Sequence, residues 1–406
     1  MLAHLLLSLM SVGLFADDEL ARSGVPEKDL EKNAKSALAY FDALADDDRT
    51  EQKEQLDKIT EALEKSMKRA KATGHTLSYL GDLERMLELA KAEPREFKSS
   101  AGKGFFKHAF EEPYDDVQLG VMLSLPASYS KSDDLLPVLV GLKPSLGVSG
   151  SALEERVTEM ATAMYGALLE THIVLIPLGP DEGSGKRRDA AEIEGAWASD
   201  EGLYAFYTGF RVLLEQVRFD RSRVVLDGWG AAGADALRIA TTSSFFAGLV
   251  LRSSPVPAEG LIGENLDGVP VLYVHGEEDG DPAQVEALRG LLRGGAAPTI
   301  VEEAGAALAP SAASVEALAS WVGGVRKDLA PKEIRYKLGD IRFQAKDWLK
   351  AGEINRRVTA KPEDPDFPRF HAKIDRGMNR IEIETVNIAE LEVFLSDALV
   401  DMSKKV

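Results

Sequence analysis

Covalent chemistry in this chain has to come from Ser, Thr, Lys, Asp or Glu, because its 406 residues include no cysteine. The lack of cysteine also rules out disulfides, thiolate zinc sites and iron–sulfur ligation. A serine nucleophile needs a neighbouring general base, most often a histidine. Ser243, Ser244, Ser253 and Ser254 lie near predicted helix or strand ends, and none has such a base nearby in sequence.

An acidic loop is the other cluster of reactive side chains. Glu277, Glu278, Asp279 and Asp281 carry the oxygen ligands that hard cations prefer. Loops of this kind are usually only solvated, so we predict neither a metal site nor a cofactor. A second loop, residues 179–188, places Gly-Ser-Gly before three basic residues. It lacks the spacing of a phosphate-binding loop, and we interpret it as a mobile loop over the mouth of the site.

Strands alternate with helices between residues 99 and 330, and these loops connect them. The strand-like runs are Val117–Leu125, Leu136–Leu142, His172–Leu178, Arg223–Leu226, Ala247–Arg252, Val269–Val274 and Thr299–Glu302. The helical patterns between them are Ala152–Glu170, Gly202–Val217, Ala231–Thr241 and Pro282–Leu292. This alternation predicts an α/β domain with a doubly wound, mostly parallel sheet. Ligands bind such a sheet at the carboxyl ends of its strands.

One strand, turn and helix is distinctive. The segment Val217–Ala240, VRFDRSRVVLDGWGAAGADALRIA, resembles the one that carries the nucleophile in the α/β-hydrolase fold, particularly in secreted bacterial esterases and dienelactone-hydrolase-like proteins. The strand-like run Phe245–Val250 fits the same family, and the resemblance extends over residues 115–326. It implies a nucleophile, an acid and a base, in that order along the chain.

This chain departs from the family at the residue that would attack the substrate. The family's G-x-S-x-G turn is Gly228-Trp229-Gly230-Ala231-Ala232 here, so a glycine occupies the position of the serine nucleophile. Glycine has no hydroxyl group, yet it fits the strained backbone of this turn. The resemblance therefore predicts that the turn is kept and that the nucleophile is lost.

At the other two positions of the implied triad, this chain has the acid residue but not the histidine. Asp279, or Asp281 two residues on, stands where the family has its acid. The family's Gly-His after the next strand is Gly305-Ala306 here, and the next histidine along the chain is His371. A general base is missing where the triad needs one.

The loop after the strand-like run Leu136–Leu142 is altered as well. The family has a His-Gly turn here, whose backbone N–H groups stabilise an oxyanion, whereas this chain has Lys143-Pro144. Proline has no N–H to donate, and although Lys143 could supply a positive charge, we expect a solvated loop lysine. We expect His275, at a strand end, to be a hydrogen-bonded structural histidine.

Segments of different character flank the α/β domain, which we assign to residues 99–330. Residues 1–16 contain an uncharged apolar run that is too short to span a bilayer. They predict a cleaved signal peptide, with an uncleaved anchor and a buried helix as alternatives. Residues 17–98 predict a helical module, and residues 331–406, which alternate with period two, predict a small β-rich module.

The net charge and the altered triad positions narrow the range of functions that we predict. The chain has 48 basic and 67 acidic residues and a net charge of -19, which argues against a nucleic-acid partner. The leading hypothesis is an exported protein, periplasmic, cell-surface or secreted, without a stable membrane span after signal cleavage. It would be a catalytically degenerate hydrolase-fold protein with a binding or structural role, taking a small molecule or a protein at the former active-site cleft. The alternatives are an active esterase or peptidase with a displaced nucleophile, and an assembly component that uses its N-terminal helices.

Overall fold

The computed structural model describes residues 24–45, 49–72, 82, 85, 86, 89, 94–111, 118–132, 134–179, 197, 199–292, 296–340, 344–354, 361–396 and 398–406. The predicted signal peptide and the Gly-Ser-Gly loop beyond residue 179 lie outside these residues. Contacts divide the chain into two compact units. The smaller unit consists of the described residues within 1–92 and 328–406, and the larger unit consists of those within 93–327.

The helices and strands are labelled in chain order. The helices with described bounds are α1 (Glu27–Ala45), α2 (Arg49–Arg69), α3 (Arg95–Ser100), α4 (Gly150–Tyr165), α5 (Asp200–Gln216), α6 (Ala232–Thr242), α7 (Pro282–Leu291) and α8 (Ala312–Gly324). The strands of the larger unit are β1 (Phe105–Glu111), β2 (Gln118–Ser124), β3 (Val138–Leu142), β4 (Ile173–Pro177), β5 (Val224–Trp229), β6 (Gly248–Arg252), β7 (Val271–Gly276) and β8 (Thr299–Glu303). Those of the smaller unit are β9 (Glu333–Lys337), β10 (Ala345–Lys346), β11 (Leu349–Ile354), β12 (Arg369–Asp375), β13 (Arg380–Val386) and β14 (Ile388–Val393). None of the described helices combines the length and the apolar character that crossing a bilayer requires.

The larger unit is built on an eight-stranded sheet with the strand order β1-β2-β4-β3-β5-β6-β7-β8. The pairs β1–β2 and β2–β4 are antiparallel, and the remaining neighbours are parallel. Strands β3, β4, β5 and β6 are buried along their whole length, because apolar side chains cover both faces of the sheet. The predicted α/β class and mostly parallel sheet are confirmed.

Helix α6 approaches the sheet so closely that two positions require glycine. A Cβ atom at Gly228 would lie 2.5 Å from Cα of Gly233, and one at Gly233 would lie 1.8 Å from Oγ of Ser254. A larger residue at either position would push the helix away from the sheet. These glycines therefore fix the start of α6 directly against the ends of β5 and β6.

The smaller unit combines segments that are far apart in sequence. Helices α1 and α2 pack against each other, and the strands form two three-stranded antiparallel sheets, β10-β11-β14 and β13-β12-β9. The expected small β module is therefore present. One apolar cluster contains Leu30 and Leu63 of the helices together with Trp348 and Phe370 of the β segment. The helical and β segments share a core, although the larger unit separates them in sequence.

Candidate functional site

The turn between β5 and α6 is a sharp elbow with Gly230 at its tip. Gly230 has a φ of +54°, in the left-handed region that glycine adopts without strain. Its N–H donates to the carbonyl oxygen of Arg252 at 2.9 Å, and its own carbonyl oxygen accepts from the N–H of Gly233 at 3.0 Å. The position that resembles the family's nucleophile therefore lies at a strand-to-helix turn, at the carboxyl edge of the sheet.

The elbow leaves room for a side chain at Gly230. A Cβ atom there would lie 3.5 Å from Cδ1 of Leu308, an ordinary contact, and would meet no other described atom within 4 Å outside its chain neighbours. Gly230 itself is half-buried. The cost of a side chain at this position is thus one of backbone conformation, not of space.

Asp279 lies on the exposed loop after β7, where the resemblance expects the acid. Its carboxylate accepts from Oγ of Ser253 at 2.6 Å and from the N–H of Ala307 at 3.1 Å to each oxygen. Ser253 Oγ in turn accepts from the N–H of Gly276 at 3.0 Å. Asp279 therefore holds a backbone N–H next to Ala306, the residue that stands where the family has its base. The alternative acid, Asp281, instead caps α7 by accepting from the N–H of Ala283 at 2.9 Å.

The loop after β8 carries Ala306 and is closed by Glu303. The Glu303 carboxylate accepts from the N–H of Ser311 at 2.7 Å and from that of Gly305 at 3.5 Å. Hydrogen bonds from Ser314 and Ser311 lower the pKa of Glu303 to about 2, because they stabilise its charged form. The loop therefore returns on itself directly beside the elbow.

The elbow, the acid loop that carries Asp279 and the next loop follow β5, β7 and β8, and so meet at one edge of the sheet, in the chain order that the resemblance implies for nucleophile, acid and base. Leu308 links the third loop to the first, and Asp279 links the second to the third. The larger unit has an α/β-hydrolase fold.

Several solved structures are similar to this hydrolase-fold unit at low sequence identity. No protein-family model and no curated protein matches the chain. Among solved structures, a thermostable esterase is 16% identical over 55% of this chain, with a TM-score of 0.44. A putative dienelactone hydrolase from Klebsiella pneumoniae subsp. pneumoniae MGH 78578 is 16% identical over 54% of this chain with a TM-score of 0.39, and a protein described as m3DLH is 18% identical over 55% with a TM-score of 0.40. The chain spans 64% of the thermostable esterase's length, and 99% and 100% of the other two.

A buried ion pair lies in the hydrolase-fold unit directly beside the elbow. Nε and Nη2 of Arg252 donate to the Asp227 carboxylate at 2.8–3.1 Å, and both side chains are fully buried. Tyr165 is close to the pair, and its hydroxyl oxygen accepts from Nε1 of Trp229 at 3.2 Å. Burial, followed by the nearby Asp227 charge, raises the pKa of Tyr165. This group was not predicted, although the charged residues Asp227 and Arg252 within two otherwise apolar strands are a sequence signal for it.

Lys143 is not the solvated loop residue expected from the sequence. Its side chain is only 7% exposed, and Nζ lies 5.9 Å from the centroid of the Trp197 ring. Trp197 is held in place from two sides, because Nε1 donates to the Lys143 carbonyl oxygen at 2.8 Å and its backbone N–H donates to Asp235 at 3.1 Å. Lys143 is therefore a buried residue of the loop after β3, with the Trp197 ring beside its amino group.

His275 also differs from its expected role. Its Nδ1 atom is buried and has no hydrogen-bond partner among the described residues, so the expectation of a hydrogen-bonded ring is wrong at this atom. The ring stacks on Tyr273 at a centroid distance of 6.4 Å and packs against Gly280, where a Cβ atom would lie 2.5 Å from Nδ1. His275 is thus close to Asp279 in sequence, but the described contacts of its ring are packing contacts with Tyr273 and Gly280.

The resemblance implies that Gly230, Asp279 and Ala306 occupy the positions of nucleophile, acid and base. Gly230 has no nucleophilic atom, and Ala306 has no group that could accept a proton. Within the described part of the chain, no three His, Asp or Glu side chains are grouped closely enough to hold a metal ion. The arrangement brings a half-buried turn, the apolar side chain of Leu308 and a hydrogen-bonded carboxylate together at one edge of the sheet.

Proposed function

We propose that this chain is a non-hydrolytic protein with an α/β-hydrolase fold, and that it acts in binding or as a structural component through the former active-site cleft. One observation carries the proposal: glycine occupies the tip of the elbow, in a chain whose loop after β8 has Ala306 in place of a histidine. Acyl transfer by this fold needs a serine hydroxyl at the first position and a base at the second.

The described serines give little support to a displaced nucleophile. Ser253 is the strongest of them, because it has a strained φ of +43° at the end of β6 and lies 2.6 Å from Asp279. Its hydroxyl already donates to that carboxylate and accepts from the Gly276 N–H. A carboxylate is also a poor general base for a hydroxyl, because an efficient catalytic base has a pKa near the working pH. Ser254 is fully buried and hydrogen-bonded to backbone carbonyl groups.

Export is part of the proposal and rests on the sequence alone. The uncharged run Leu2–Ala16 has the length of a signal-peptide core and is followed at once by Asp17, Asp18 and Glu19. Export would place the mature protein in the periplasm, on the cell surface or outside the cell. N-terminal sequencing of the protein recovered from its native host tests this point.

The decisive experiment treats the purified protein with a fluorophosphonate probe and, in parallel, with short acyl nitrophenyl esters. We expect no labelling and no turnover. Labelling of a serine, located by mass spectrometry with Ser253 and Ser184 examined first, would overturn the proposal, as would ester turnover above the uncatalysed rate.

A matched variant shows whether the probe can reach the elbow at all. Gly230→Ser with Ala306→His restores both missing side chains in a site where Asp279 is already present. Gly230→Ser should lower the free energy of unfolding by roughly 1–3 kcal/mol, because serine is strained at this φ. If the probe labels the double variant but not the unaltered protein, then the unaltered protein fails to react because it lacks these side chains and not because the site is closed.

A further inference from the structure

The loop from β8 to α8, residues 304–310, covers one side of the elbow. Its Leu308 side chain has Cδ1 3.5 Å from the position that a Cβ atom would take at Gly230. Ala307, the neighbouring residue, is fully buried and belongs to the same apolar cluster as Trp229. The loop therefore turns an apolar side chain towards the space in which a ligand of the elbow would lie.

Carboxylates on each side of this loop hold it in place. Glu303 accepts from the N–H groups of Gly305 and Ser311, and so fixes the two ends of the loop to each other. Asp279 accepts from the Ala307 N–H with both oxygens at 3.1 Å, and so fixes the middle of the loop to the end of β7. Hydrogen bonds to a charged acceptor are roughly twice as strong as neutral ones.

We propose that Asp279 is a latch that holds residues 304–310 closed over the elbow, with Leu308 as the covering side chain. Asp279 is exposed, and its acceptor oxygens are used by Ser253 and Ala307. Without these acceptors the Ala307 N–H, which belongs to a buried residue, would have no partner in the closed loop. Loss of the Asp279 carboxylate should therefore open the loop and expose the elbow. This inference does not depend on whether the protein is an enzyme.

The absence of cysteine allows a direct test of access to the elbow. Gly230→Cys places a single thiol in the full-length chain at the tip of the turn, where its Cβ atom makes only an ordinary contact with Leu308. Gly260→Cys is the matched control, because Gly260 also has a positive φ, is exposed and has no atom within 4 Å of the added Cβ. The rate of alkylation by a maleimide is measured for each thiol in the native protein.

The latch is then released in both backgrounds. Asp279→Ala should raise the alkylation rate of the thiol at position 230 about tenfold or more, because local opening governs access to a covered thiol. The alkylation rate of the exposed thiol at position 260 should not change. Asp279→Asn keeps one oxygen acceptor and should restore most of the protection. Leu308→Ala should raise the rate at position 230 without breaking any of these hydrogen bonds. Helix α6 starts beside position 230 and alters the reactivity of a thiol there. The readout is therefore the ratio of the alkylation rates measured with and without Asp279→Ala at the same thiol.

Two results would overturn the latch. One is that Asp279→Ala leaves the alkylation rate of the thiol at position 230 unchanged, and the other is that Leu308→Ala does so. A second measurement covers the case in which a cysteine variant fails to fold. Hydrogen exchange at the Ala307 amide of the otherwise unaltered protein should become about tenfold faster in Asp279→Ala, and an unchanged exchange rate would contradict the proposal. Neither readout requires hydrolysis, so failure of the latch and failure of the non-hydrolytic assignment are distinguishable.

Discussion

Arg252 and Asp227 show how a single pair of residues can shape the region around the elbow. Both side chains are almost completely removed from water, at 1% and 0% exposure, on the neighbouring strands β5 and β6. Desolvation of two charges costs several kcal/mol each, and their mutual attraction offsets this cost only when the geometry is good. Loss of one partner leaves the other charge buried without compensation.

We expect Asp227→Ala to lower the free energy of unfolding by about 3–5 kcal/mol, whereas Asp227→Leu combined with Arg252→Met should cost far less. Urea unfolding followed by circular dichroism measures both. The exposed pair Arg211–Glu215 is the control, and Glu215→Ala should cost at most ~0.5 kcal/mol. If the double variant is as unstable as Asp227→Ala, then the loss of stability comes from removal of the ion pair itself and not from a buried charge left without a partner.

The sequence predicts which residues occupy the site better than it predicts what they contact. The resemblance named Gly230, Asp279 and Ala306, and the structure brings the elbow, the acid loop and the β8–α8 loop together. The partners of Asp279 could not be predicted, because one is a backbone N–H and the other is Ser253, 26 residues earlier in the chain, and no local sequence pattern indicates either contact. Lys143 is buried, contrary to the expectation, and the Trp197 ring beside it comes from 54 residues further along the chain, which no local sequence pattern indicates.

At the scale of elements, burial on both faces made most strands of the larger unit recognisable. Strands β3 to β7 are short apolar runs, and each lies within or close to its predicted range. Strand β1 was not predicted, because it pairs on one side only and Lys107 and His108 interrupt its apolar residues. Helix α8 was not predicted either, since its alanine-rich sequence gives little contrast between a buried and an exposed face.

His172, immediately before β4, shows how an element can make stability depend on pH. Burial, with a smaller contribution from the Arg223 charge, lowers the pKa of His172 from 6.5 to about 4. Its Nε2 atom is buried without a partner in the described part of the chain. Protonation thus requires a charge in a place that cannot stabilise it, so the folded state binds this proton less readily than the unfolded chain does.

The sign of the pH effect follows from this lowered pKa. The contribution of His172 is fully present above pH 6.5 and is lost as the pH falls towards 4, with a total of ~3 kcal/mol. His172→Gln should remove this part of the pH dependence. Urea midpoints measured from pH 7.5 to pH 4 compare the two proteins, and parallel curves would mean that His172 does not titrate with a lowered pKa.

At the scale of the molecule, the helical and β segments of the smaller unit share one core. This sharing argues that α1 and α2 serve their own unit before any role in assembly, because Leu30 and Leu63 are buried in its core. The sequence could not predict the association, since apolar stripes on a helix indicate that it packs but not which segment it packs against.

Leu63→Ala tests whether the smaller unit folds as one. The substitution empties a buried position in α2 and should cost about 2–5 kcal/mol. In the full chain we expect faster hydrogen exchange in β9, β12 and β13 as well as in the helices, with β3 to β7 unchanged. Leu249→Ala, at a fully buried position in β6, should give the reverse pattern. Exchange that speeds up in α1 and α2 alone would mean that the helices and the β segment fold separately.

The division of the smaller unit between residues 1–92 and 328–406 has a consequence for biosynthesis. A ribosome completes α1 and α2 first and then has to make the whole larger unit before the strands that complete their core exist. At ordinary elongation rates of about 5–20 residues per second, this delay is on the order of ten seconds or more. During that time the larger unit can fold, while the apolar surface that α1 and α2 later bury against the β segment stays uncovered. The nascent chain is therefore prone to aggregation at α1 and α2 until these strands emerge, and a chaperone that binds apolar helices would protect it during this interval.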